Sequence, residues 1–144
     1  MTTRRFVVDT NVVIRDRMSE IPGFVSAVVL QELTAGAQDT ADVRRLGSMR
    51  AAAEEDGVLL TPDGEDWYEA GKVLNALHRG LRSHRAGHTP AIPKEEQHRL
   101  LRDVLIARSA RRINAEVVTY NVADFEKIRR FCNVKVVDPT PEFL

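Results

Sequence analysis

The sequence has one cysteine, Cys132, so no disulfide can close within the chain. No apolar run approaches the roughly 20 residues of a membrane-spanning helix. The opening segment reaches Asp9 after only Phe6, Val7 and Val8, too short for a signal-peptide core, and a cytoplasmic location is expected. Net charge is also missing: 21 basic and 21 acidic residues cancel, so nothing draws the chain as a whole to nucleic acid, a membrane or a polycation. Any electrostatic partner must be met locally. Lysine is scarce, at Lys72, Lys94, Lys127 and Lys135, which leaves arginine, the better bidentate phosphate ligand, to supply most of the positive charge. Aromatics are only 6% of residues. Trp67 and Tyr68, followed by Val73, Leu74 and Leu77, lack the dense positive charge of a base-stacking platform and read as packing or as a subunit interface.

What is present is a globular composition, 43% hydrophobic and 29% charged over 144 residues, enough for one domain with a core. Residues 1–144 are read as that single domain. Phe6 to Asp9 reads as a buried strand entering a turn at Thr10 and Asn11, and Phe24 to Ser26 as a second strand. Ser26 is placed to cap an apolar helix from Ala27 to Ala35 that stops at Gly36, and Thr40 to cap another reaching about Asp56. A strand at Val58 to Thr61 follows. Further helices fit Glu65 to Arg82, Glu95 to Ile113 and Ala123 to Phe131, with strands at Glu116 to Tyr120 and Val134 to Val137. Ser83 to Lys94, holding Gly87, Pro90 and Pro93, reads as a loop between helices. Short apolar strands alternating with helices predict an α/β fold of three layers, α/β/α, around a central, mostly parallel sheet. In such folds the site lies at the carboxyl ends of the strands.

Four carboxylates fall where a solvated charge is out of place. Asp9 ends the first strand, where it can equally be a turn former or N-cap. Glu32 lies in Ala27-Val28-Val29-Leu30-Gln31-Glu32-Leu33, a helix apolar almost all round, so it needs a cleft or a partner unless it shares a narrow solvent strip with Gln31. Asp103 shares a helix face with Ile106, Ala107 and Ala110, the plainer alternative being a salt bridge to Arg99 or Arg102. Asn121 and Asp124 follow a strand and open a helix, where either could simply cap it. Acids at two strand ends and on two buried helices can converge at one sheet edge, and their mutual repulsion then calls for a cation. An all-oxygen donor set suits Mg²⁺ or Mn²⁺, and hard-metal chemistry on phosphate esters follows from it.

Three blocks carry a family likeness: Phe6-Val7-Val8-Asp9-Thr10-Asn11-Val12-Val13-Ile14, Ser26-Ala27-Val28-Val29-Leu30-Gln31-Glu32-Leu33 and Val117-Val118-Thr119-Tyr120-Asn121-Val122-Ala123-Asp124-Phe125. With Asp103-Val104-Leu105-Ile106-Ala107 they span nearly the whole chain, which resembles a PIN-domain ribonuclease, most closely the VapC-like toxins of type II toxin-antitoxin pairs. The resemblance implies a metal-dependent endoribonuclease with Asp9, Glu32 and Asp103 as metal-binding acids and Asp124 as the fourth, catalytic together, Asn121 being the other residue the chain offers at that fourth position. It implies supporting roles for Thr119, Asn121 and Asn11, an RNA substrate, a cognate antitoxin and a homodimer. The Ser83 to Lys94 loop is longer than is usual in the toxins. Arg99 and Arg102 flank the acids and are candidate RNA contacts, although the run Arg99, Arg102, Arg108, Arg111, Arg112 also fits a solvated helix face. His84, His88 and His98 have no accompanying thiol and a proline-containing segment divides them, so a zinc role is discounted. Two rival readings are a degenerate PIN module that binds RNA or protein without cutting, and a haloacid-dehalogenase-like phosphatase. For the second, Asp9-Thr10-Asn11 has Asn11 in place of the second acid, and no later strand brings a lysine followed by paired acids.

Overall fold

In the computed structural model the chain is described over residues 3–84 and 92–139, without the side chains of 80–84. In chain order the elements are β1 (Phe6–Val8), α1 (Thr10–Arg15), β2 (Val25–Ser26), α2 (Ala27–Ala35), α3 (Thr40–Glu55), β3 (Leu59–Leu60), α4 (Gly64–His84), α5 (Lys94–Arg112), β4 (Glu116–Val118), α6 (Val122–Arg129) and β5 (Val136–Val137). Every pairing is parallel: β1 with β4, β4 with β5, and β2 with β3. A parallel bridge between Val7 and Phe24 joins the two groups, giving the order β3, β2, β1, β4, β5. The chain therefore leaves β1 in one direction and returns as β4 on its other side, which makes the carboxyl ends of β1 and β4 a topological switch point.

Alternation along the strands sets the layers. Val7 and Val117 pack with Val104, Ile106, Phe125 and Ile128, on the side of α4, α5 and α6. Val8 and Val118 turn to the opposite face and meet Val12 and Val13 of α1. A third cluster, Val25, Leu30, Leu46 and Ala53, fastens α2 and α3 to β2 and β3.

Local chemistry explains the boundaries that the sequence reading misses. The turn expected at Thr10 is the start of α1, a helix of poor formers (Thr, Asn, Val, Val, Ile) held by the Asp9 cap and by the burial of Val12 and Val13. Asp39, not Thr40, caps α3, accepting from the Asp42 N–H at 2.8 Å. A reciprocal pair starts α4 earlier than expected: Asp63 Oδ1 accepts from the Asp66 N–H at 2.8 Å, and Asp66 Oδ2 from the Asp63 N–H at 3.1 Å, the two halves of a capping box. At its other end α4 runs through Ser83 and His84, so the expected loop begins later. Its residues 85–91, with His88, lie outside the described residues.

Gly23 has φ +74, and a Cβ there would lie 2.7 Å from the Phe6 carbonyl oxygen, which accepts the Phe24 N–H at 2.9 Å. Gly23→Ala is expected to cost about 1–3 kcal/mol through this clash and the left-handed backbone. Urea unfolding checks it, and an unchanged midpoint would contradict the argument.

Candidate metal centre at the β1–β4 switch point

Asp9 begins the site because one residue serves two strands. Its N–H donates to the Val118 carbonyl at 2.9 Å, extending the β1–β4 ladder by a residue. Its Oδ1 accepts from the Thr10 N–H at 2.8 Å as the cap of α1, and its Oδ2 accepts from the Thr119 hydroxyl at 2.8 Å. The capping reading of Asp9 therefore holds, and its side chain is buried at the carboxyl end of β1.

Thr119, fully buried past the end of β4, is the hub of the supporting residues. With its proton given to Asp9, its oxygen accepts from the Asn121 N–H at 3.0 Å and from Asn11 Nδ2 at 3.3 Å, which uses its full capacity. Asn11 Oδ1 in turn accepts from the Tyr120 N–H at 3.3 Å, so α1 is tied to the loop after β4. Asn121 stands at the N-cap of α6 without a side-chain cap bond, and Asp124 lies in that helix's first turn with Lys127 Nζ 3.9 Å from its Oδ1.

Glu32 has found a partner: Oε2 lies 3.3 Å from Arg102 Nε, and Oε1 accepts from the Thr10 hydroxyl at 3.2 Å. The salt bridge considered for Asp103 thus forms elsewhere, with Arg102 reaching from α5 to α2. Burial raises the Glu32 carboxyl above its ordinary pKa against the pull of Arg102 and Thr10, and burial likewise raises Asp9 against its hydrogen bonds from Thr119 and Thr10. Asp103, 8% exposed on the inner face of α5, is pushed up to about 8 by burial first, and then by the charges of Asp9, Asp124 and Glu32, with Arg102 opposing. Asp9, Glu32 and Asp124 thus each lie near enough to raise Asp103, and Asp9 also raises Glu32.

Among the described residues no three His, Cys, Asp or Glu side chains stand ready as a cage for an ion. Both Asp9 oxygens and both Glu32 oxygens already have protein partners. The donor set nevertheless fits a hard divalent cation, because every donor is a carboxylate oxygen.

Other candidates sort differently. Arg99 is exposed on α5, whereas Arg108 and Arg112 are held by acids at the start of α4, Arg112 2.9 Å from Asp66 Oδ2 and Arg108 Nε 3.7 Å from Asp66 Oδ1, so they are not part of a free basic face. Val73 is buried in the chain's own core with Leu77 packed against it, leaving Trp67 and Tyr68 as the exposed large hydrophobic side chains of that segment. His98 is exposed on α5. The sequence reading misses Thr10 as a partner of Glu32, although its place beside Asp9 was a usable signal. It also misses Tyr120, whose hydroxyl donates to Asp16 at 2.8 Å while Arg15 sits 4.3 Å from the ring centre.

No family model and no curated protein matches the chain by sequence. Solved structures do. A chain of VapBC-1 from nontypeable Haemophilus influenzae is 21% identical, with 92% of this chain and 96% of that one covered and a TM-score of 0.56. A chain of DNA-bound VapBC from Salmonella typhimurium is 25% identical over 94% and 98%, with a TM-score of 0.53. A chain of VapBC2 from Rickettsia felis, bound to a DNA fragment from its promoter, is 18% identical over 94% and 98%, with a TM-score of 0.57. The parallel sheet, the order of its strands and these neighbours together give the chain the PIN-domain fold of VapC-like proteins.

Proposed function

We propose that the chain is a Mg²⁺- or Mn²⁺-dependent endoribonuclease, acting as one domain, and the toxin of a toxin-antitoxin pair. The observation that carries this reading is the placing of Asp9, Glu32 and Asp124 around buried Asp103 at the switch point, where burial and their charges push Asp103 up to about 8. Asp9 and Asp103 would hold the ion, with Glu32 and Asp124 completing the set. When bound, such an ion supplies Lewis acidity toward the phosphoryl oxygen and makes water a nucleophile near neutral pH. The Thr119 hydroxyl gives its proton to Asp9, so it orients that carboxylate rather than attacking substrate. Exposed Arg99 is placed on the same helix as Asp103 to meet RNA phosphates.

The partners follow the same reading. The VapBC neighbours support an antitoxin partner, and exposed Trp67 and Tyr68 support a homodimer contact. No helix of the described residues is long and apolar enough to cross a membrane, and we place the protein in the cytoplasm.

Purified protein incubated with a responsive RNA should cut in Mg²⁺ or Mn²⁺, fall silent in EDTA, and leave a 5′-phosphate and a 3′-hydroxyl, because water attacks rather than the ribose 2′-hydroxyl. Cutting in EDTA, or 2′,3′-cyclic ends, would overturn the mechanism. RNA binding without cutting in any ion would favour the degenerate module.

A further inference from the structure

We propose that Arg102 is the cation Glu32 carries until a divalent ion replaces it, so that loading the site means exchanging this ion pair. The inference rests on the metal-dependent reading above and concerns what this chain's own arginine does to it. Glu32 is the acid of the cluster that holds an arginine, with Arg102 Nε 3.3 Å from Oε2. Arg102 directly precedes Asp103, and its charge acts on Asp9, Glu32 and Asp103 alike, so one guanidinium offsets part of the repulsion among three carboxylates.

The pair is built to be exchanged. A divalent ion brings twice the charge and approaches a carboxylate oxygen at about 2 Å, closer than the arginine sits, so it wins the exchange once present in sufficient amount. Arg102 is 37% exposed at its side chain, which keeps the cost of release small. It also lines an opening of about 480 Å³ with Gln31, Thr61, Trp67 and His98, which gives the freed guanidinium room. Glu32 keeps its Thr10 hydrogen bond through Oε1 during the exchange and so does not lose its orientation.

A ligand that must first break a pair binds more weakly by the fraction of time the pair is open. Calorimetric titration with Mn²⁺ should therefore show Arg102→Gln binding about two- to fivefold more tightly than wild type, the range expected of a partly exposed ion pair. Arg99→Gln, which removes a charge one turn away but no pair, should change affinity much less. The gain from Arg102→Gln should vanish in a Glu32→Gln background. As a second readout, the Arg102 Nε–H resonance, assigned by its loss in Arg102→Gln, should shift and lose protection from solvent exchange as Mg²⁺ saturates the wild type. This readout decides the matter even if Glu32→Gln binds no metal. Equal gains from Arg99→Gln and Arg102→Gln, a gain that persists without Glu32, or an unmoved resonance at saturation would overturn the exchange. Wild type that takes up neither ion would instead remove the metal-dependent reading and this inference with it.

Discussion

Asp103→Asn is expected to abolish RNA cleavage, by about 100- to 1,000-fold or more, while making the metal-free protein more stable. The substitution keeps the size of the side chain and removes the charge that burial and Asp9, Asp124 and Glu32 oppose. The stability effect has a definite pH window. A carboxyl whose folded-state pKa is raised from 3.8 to about 8 holds its proton more tightly when folded, so it favours the folded chain at low pH and loses that preference as pH rises from about 4 through 8. Asp9 and Glu32 are raised by burial and add to the same slope. Asp63, lowered by the Asp66 N–H, and Glu116, lowered by Arg4, act in the opposite sense, losing stability as pH falls through their folded-state values. Each pKa unit is worth about 1.4 kcal/mol, and relaxation around the carboxylate recovers part of it, so Asp103→Asn should gain on the order of 2–4 kcal/mol at pH 8 and almost nothing at pH 4. Urea unfolding in EDTA at the two pH values measures this. Parallel curves for wild type and variant, or cleavage retained by the variant, would show that Asp103 is not the strained acid of the site.

The largest loss of stability is expected away from the site, at Asp66. Its side chain is 2% exposed and meets Arg112 at 2.9 Å and Arg108 Nε at 3.7 Å, while also closing the capping box of α4. Arg108 Nε is buried and has no hydrogen bond within the described residues, so its charge is offset by Asp66 and, 3.9 Å from its Nη2, by exposed Glu65. Removing one partner of a buried pair costs more than the pair itself contributes, because the remaining charge is left in a poor solvent. Asp66→Ala should therefore cost about 3–5 kcal/mol, and Asp66→Asn, which keeps an oxygen for the Asp63 N–H, should cost less. A loss below about 1 kcal/mol for Asp66→Ala would mean that water already solvates Arg108.

The contrast between Asp66 and the site acids shows what the sequence makes legible. Asp9, Glu32 and Asp103 stand out because each interrupts an apolar run, and such interruptions are visible in one dimension. Asp66 sits among Gly64, Glu65, Trp67 and Tyr68, where an acid at a helix start looks ordinary, and only the arriving arginines of α5 make it buried. The helix α2 was readable to the residue because Ser26 and Gly36 are local signals, and the structure uses both, Ser26 Oγ accepting from the Val28 N–H at 3.1 Å. The helix α1 was not, because its propensities are poor and its stability comes from Val12 and Val13 meeting Val8 and Val118. The direction of Arg102 was equally hidden, since helical spacing shows that it neighbours Asp103 but not that it reaches across to Glu32.

The pairing of β1 with β4 also has a kinetic side. Val7 faces Val117, and Asp9 bonds to Thr119 across 110 positions of chain. Contacts so distant in sequence must close a long loop before they return any stabilisation, so they form late and slowly. A chain with α2 and α3 packed against β2 and β3 but without the β1–β4 pairing has no Thr119 beside Asp9 and no charges around Asp103. The step that completes the sheet is therefore the step that brings these acids together.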